Sequence, residues 1–167
     1  GRDFDFSRPF FEQWREHLKV VTMGNLFIGL AENADYTNYG VSNKNCYMVT
    51  ASDYNQDSFY ADNANENKDC CDITFSNKSE LLYECVDSAG SYSCMYSQNI
   101  KNCNFCSFCV DCIGCSDCIG CVGLRSAQYR IFNKQYSKEQ YREEAAKLRL
   151  DTTDGREALR KRFREFL

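Results

Sequence analysis

The 167-residue chain has one histidine, one tryptophan and one proline, and no arginine between residues 33 and 123. It contains no run of 18 apolar residues, which excludes a conventional membrane-spanning helix. Its apolar patch near the start, "NLFIGLA" (Asn25–Ala31), is too short and too far in for a secretory signal. No G-x-x-x-x-G-K-[ST], no G-x-G-x-x-G after a strand and no H-E-x-x-H occurs, so the usual phosphate-cradle and metalloprotease chemistries lack their residues. The lone His17 has no indicated Ser, Cys or carboxylate partner and reads as a surface or cap side chain. Without an acid–base or nucleophile pairing, the expected protein is not an enzyme.

What is present is divided by charge. Residues 33–123 hold 12 Asp/Glu against Lys44, Lys68, Lys78 and Lys101, a balance of −8. The overall charge is −4, so the flanks carry +4. The basic stretch Arg156–Glu165 reads as the solvated side of an amphipathic helix more readily than as a nucleic-acid contact.

Twelve cysteines stand out, seven of them within "CNFCSFCVDCIGCSDCIGC" (Cys103–Cys121). Cys46, Cys70, Cys85, Cys94, Cys103, Cys106, Cys109, Cys112, Cys115, Cys118 and Cys121 are all separated by multiples of three, and only Cys71 is out of phase. Every third residue from Ala34 to Cys121 gives thirty positions, mostly Cys and Ser, with none charged and none aromatic. All sixteen charges and all twelve Tyr/Phe of the segment occupy the other two phases. By chance such segregation would arise roughly once in 10^5. An inward small residue every third position fits neither an α-helix nor an ordinary strand. It requires a corner about every three residues, as in a narrow β-solenoid. A bundle of polyproline II helices also repeats in threes but wants glycine at its axis, and only Gly40 lies in this phase.

Twelve residues per coil is the favoured length, with nine, fifteen and eighteen as alternatives. At twelve, turn formers head most coils (Asn33, Asn45, Asp57, Asp69, Ser93, Asp117) and Cys71 falls on an outward row. Outward side chains then stack as ladders, giving a candidate interaction surface of Tyr36, Tyr47, Met48, Phe59, Tyr60, Tyr83, Met95, Tyr96 and Phe108. Gly114, Gly120 and Gly123 are outward residues placed at tight corners.

The expected organisation is an N-terminal helical cap (1–32), a cysteine-rich solenoid (33–124), and a strand with two cap helices (125–167), since open solenoid ends need covering. Ser7 is the expected N-cap of a helix reaching about Val20, with Phe10, Trp14, Leu18 and Val21 on one face. Gln128–Phe132 reads as a last strand, Ser137–Gln140 as a capping box, and Asp154–Glu157 as a second box before Leu159, Phe163 and Phe166.

Three chemistries remain open for the cysteines. Residues six apart face each other across a four-sided coil, making Cys106–Cys112 and Cys109–Cys115 candidate disulfides. Cys103 through Cys121 could instead be ligands of Zn or an iron–sulfur cluster, although the spacing is uniform and the run lacks histidine. Free buried thiols are the third reading. No cofactor is favoured. Disulfides would place the chain outside the cell, whereas reduced or metal-bound thiols would place it in the cytoplasm.

The coil spacing is similar to that of the disulfide-ribbed β-helices of insect antifreeze proteins, but without their Thr-x-Thr face, so only the geometry carries over. "RDFDFSRPFFEQW", "YTNY", "NKNCY", "NKSELLYEC" and "GCVGLRS…YRIFNKQYSKEQY" resemble an uncharacterised cysteine-rich family of candidate-phylum bacteria, over most of the chain. That resemblance implies an internal domain of a longer, zinc-ribbon-containing protein and no particular activity. Leu82 and Ser88 stand where the family has Cys, which counts against metal ligation there. The functional expectation is a structural or interaction module, with an unknown protein, a glycan or a second copy as partner.

Overall fold

From Leu30 to Phe132 every third residue, without exception, has a φ between +48° and +69°. This is the left-handed region, which costs an L-residue about 1 kcal/mol, and here it turns a corner at each occurrence. The residue after each corner points inward. The computed structural model, which describes residues 3–22, 24 and 26–167, thereby forms a square β-solenoid of about nine turns with about twelve residues per turn.

The strands are β1 (Ile28–Gly29), β2 (Glu32–Asp35), β3 (Gly40–Val41), β4 (Lys44–Thr50), β5 (Phe59–Asp62), β6 (Cys71–Asn77) and β7 (Glu80–Ala89). They continue as β8 (Tyr92–Met95), β9 (Gln98–Lys101), β10 (Asn104–Ser107), β11 (Ser116–Ile119), β12 (Gln128–Ile131) and β13 (Lys134–Gln135). Pairing between coils is parallel with a fixed offset of twelve, as in Tyr47↔Phe59, Cys71↔Tyr83, Cys106↔Cys118 and Ile119↔Ile131. β13 alone turns back antiparallel on β12 and closes that end. The coils outlast the small-residue lattice at both ends. Ile28 already pairs with Gly40, and Arg130 and Asn133 occupy inward positions after Cys121.

Inward side chains stack in four columns. One runs Asn43, Asn55, Asn67, Ser79, Ser91, Cys103, and each side-chain oxygen accepts from the backbone N–H of the next coil as far as Cys103. The amide nitrogens of Asn43, Asn55 and Asn67 donate across the core to Ser52, Ala64 and Ser76 carbonyls. The backbone groups of these corners are therefore satisfied by side chains where the strand ladder cannot reach them. Gly40 is inward because there is no room for more: an added Cβ would lie 2.5 Å from the Asn43 amide and 2.7 Å from the Ser52 carbonyl.

On the outside, three of the four lysines of residues 33–123 stand one coil from a glutamate, in the pairs Lys44–Glu32, Lys68–Glu80 and Lys78–Glu66. Exposed pairs of this kind add little stability, but they keep like charges apart along the acidic coils.

The flanking helices are α1 (Phe10–Leu18), α2 (Lys138–Lys147) and α3 (Thr153–Phe166). The capping box at Ser137–Gln140 forms as expected. Two caps differ from expectation. Thr152, not Asp154, caps α3 through the Gly155 N–H. Pro9 takes the N-cap position of α1, while the Ser7 hydroxyl is held by Asp5, and the helix stops at Leu18 instead of Val20. α1 buries none of its residues, so its apolar side does not cover the first coil.

Candidate interaction face and thiol core

All twelve cysteines are free thiols, and all but Cys71 are buried. Each inward cysteine points its Sγ at the carbonyl oxygen two residues earlier, as Cys94 does to Tyr92 (3.4 Å). Five of the seven inward serines make the same bond, for example Ser97 to Met95 (2.9 Å), whereas Ser76 donates to the Asn67 side chain and the buried Ser88 hydroxyl has no partner among the described residues. Cys and Ser alternate on the lattice because both are small and both donate to the same acceptor. The larger sulfur reaches a second carbonyl nine residues ahead, as from Cys85 to Cys94, Cys94 to Cys103, Cys103 to Cys112 and Cys112 to Cys121. The nine-residue recurrence of cysteine thus coincides with a contact between adjacent coils.

The thiols that meet are three or twelve apart, not six. Cys106 is ringed by Cys103, Cys109, Cys118 and Cys94, and Cys109 by Cys106, Cys112 and Cys121. The expected disulfides Cys106–Cys112 and Cys109–Cys115 are not formed, and the thiol–thiol hydrogen bonds of Cys106 and Cys109 instead join residues three and twelve apart. Burial pushes the Cys70 and Cys85 thiols up to about 11. In the cluster, donation from its neighbours lowers Cys106, while Cys94, Cys103, Cys109 and Cys118 are raised by the same contacts. Among the described residues, no group of three or more Cys, His, Asp or Glu side chains is arranged to hold a metal ion.

The outward ladder divides in two. Tyr36, Met48, Phe59, Tyr60 and Tyr83 are exposed and Tyr47 is half-buried. Tyr47 makes edge-to-face contacts with Tyr36 (5.4 Å) and Tyr60 (5.8 Å). Met95 and Tyr96 are half-buried, and Phe108 is only 3% exposed. Phe108 therefore does not belong to an open surface. It packs with Leu159 and Phe163 of α3, Ile119, Ile131 and Tyr141 in a second core outside the solenoid. Arg160 of α3 lies 4.9 Å from the centre of the Tyr96 ring and bonds Glu84 at 3.2 Å. Arg162 covers Phe132 at 4.2 Å, so two arginines of the basic stretch face protein. Sequence patterning marks Phe108 as outward, which it is, but carries no signal for the helix that returns to cover it.

His17 lines a cleft of about 290 Å³ with Asp3, Asp5, Arg8, Glu16 and Trp14. The Gln13 amide donates to the Asp5 and Arg8 carbonyls, and Arg8 pairs with Glu16 at 2.6 Å, so the segment before α1 is braced against the helix. No Ser, Cys or Lys is among the described residues lining the cleft.

No helix of the described residues is long and apolar enough to cross a membrane. No family model and no curated protein matches the chain.

Proposed function

We propose that this protein is a non-catalytic interaction module: a rigid, thiol-filled solenoid that presents the uncovered aromatic face to another protein or to a second copy of itself. The observation that carries this reading is the run Tyr36, Tyr47, Met48, Phe59, Tyr60 and Tyr83 along one face. Tyr36, Tyr47 and Tyr60 are held at the coil pitch by edge-to-face contacts, and most members of the run are open to solvent. Rigid aromatic side chains lose little conformational freedom on binding, and a contiguous exposed apolar patch is characteristic of interaction surfaces. The inward lattice supports the face from beneath, where Cys46, Cys70 and Cys85 are buried together with Val49, Ile73 and Leu82.

The test replaces Tyr47, Phe59 and Tyr83 together by Ser. The far-UV circular dichroism should keep its β-solenoid signature, while self-association measured by light scattering, or capture of a purified partner, should fall by at least an order of magnitude. If folded variant and parent associate equally well, the reading is wrong.

A further inference from the structure

We infer that α1 is a strap that closes over the uncovered half of the aromatic face of its own solenoid, as α3 covers the other half; this rests on reading that face as a binding surface, whose access the strap would regulate. One corner column reads Met48, Tyr60, Asp72, Glu84, Tyr96, Phe108 in steps of twelve residues. It is a near-palindrome about the midpoint between Asp72 and Glu84. In its second half Arg160 covers Tyr96 and pairs with Glu84, while Phe163 meets Phe108 with ring centres 6.2 Å apart. The helix residues that do this are spaced Leu159-Arg160-x-x-Phe163, and α1 carries the same spacing in Trp14-Arg15-x-x-Leu18.

The two surfaces need each other. Trp14 is 49% and Leu18 39% exposed on the helix, against 48% for Met48 and 51% for Tyr60 on the face. Among the described residues neither Arg15 nor Asp72 takes part in an ion pair, and the Asp72 carboxylate accepts only from the Cys71 thiol at 3.5 Å. Reversing the column reverses the docked helix. With Arg15 at Asp72 and Leu18 at Met48, α1 runs towards the end of the solenoid at which the chain enters through Ile28. The ten residue steps from Leu18 to Ile28 reach up to about 35 Å, enough to allow the docking. A short tether also gives the chain's own helix an effective concentration on the order of millimolar, ahead of any second copy.

Trp14 is the only tryptophan and reports on the strap directly. In the full chain its emission should be blue-shifted, and its quenching by acrylamide several-fold weaker than in the chain unfolded by guanidinium. Asp72→Arg or Leu18→Glu should return the quenching most of the way to the unfolded value with the circular dichroism unchanged. The swap Arg15→Asp with Asp72→Arg should restore protection, a rescue that general destabilisation would not produce. Trp14 quenched as strongly in the native chain as in the unfolded one overturns the strap. So does protection indifferent to Asp72→Arg, or protection that develops only as protein concentration rises, which would assign the helix to a second copy. If the Tyr47, Phe59 and Tyr83 replacement abolishes association while native Trp14 is unprotected, the strap fails and the interaction reading stands. If Trp14 protection responds to Asp72→Arg but no association is ever lost, the strap stands and the interaction reading fails.

Discussion

At the scale of the residue, the question posed by the cysteines is why sulfur fills positions that serine also fills. The answer lies in one shared bond and one difference in reach. Both side chains can donate to the carbonyl two residues back, so either can line the channel, and Ser88 alone among the inward serines leaves its hydroxyl without a partner among the described residues. The thiol is less costly to bury than a hydroxyl and extends to the next coil. Burial then sets a pH dependence. Cys70 and Cys85 lie near 11 in the folded chain against about 8.5 for a free thiol. The folded state holds these protons after the unfolded state has lost them. Their stabilisation is therefore complete below about pH 8.5 and is lost as pH rises towards 11. The melting temperature should fall over that window. Cys85→Ser, which keeps the bond to the Tyr83 carbonyl and has no proton to lose, should flatten the decline. A decline of equal steepness in the variant would remove Cys85 from the account.

At the scale of the element, the coil is held by two devices, left-handed corners and the inward asparagine stack. The corners admit Tyr, Leu, Phe and Lys as well as Asn and Asp, so the conformation is imposed by pairing and burial on both sides instead of by local preference. The stack does more than fill space. Asn55 accepts from the Asn67 N–H at 3.0 Å and donates to the Ala64 carbonyl at 2.6 Å, all of it buried. Asn55→Ala leaves a buried donor and a buried acceptor unpaired, at about 1–3 kcal/mol for each group. Chemical denaturation should show a loss of about 2–5 kcal/mol, and Asn55→Ser a smaller one. An unchanged midpoint for Asn55→Ala would mean that water replaces the ladder. The position was legible as an inward small residue. Its hydrogen bonds were not, because they join residues nine and twelve apart and exist only once the coil closes.

At the scale of the whole molecule, one end of the solenoid is closed and one face is divided. β13, α2 and α3 seal the last coils with a separate apolar core, whereas α1 buries nothing. The closed channel also governs the redox chemistry. Eleven thiols are shut from solvent, most of them with raised pKa values, and so react slowly. Native protein treated with iodoacetamide and weighed intact should gain a single adduct, at Cys71, and twelve after unfolding without reductant. Fewer than twelve after unfolding would reveal disulfides, and Zn or Fe found in stoichiometric amount by elemental analysis would return the Cys103–Cys121 run to metal binding.

The solenoid, the inward cysteines and the out-of-phase Cys71 were legible in the sequence, which favoured a twelve-residue coil while leaving nine, fifteen and eighteen open. Each follows from a three-residue period in which no inward residue from Ala34 to Cys121 is charged or aromatic. That is a local, repeated constraint, legible wherever the chain is read. Only the tertiary structure decided that Phe108 is covered while Tyr60 is open, that Arg160 turns onto Tyr96, and that thiols meet their neighbours three and twelve residues away. Those outcomes depend on where α3 returns and on which corners adjoin in a closed square, and neither is encoded by a period along the chain.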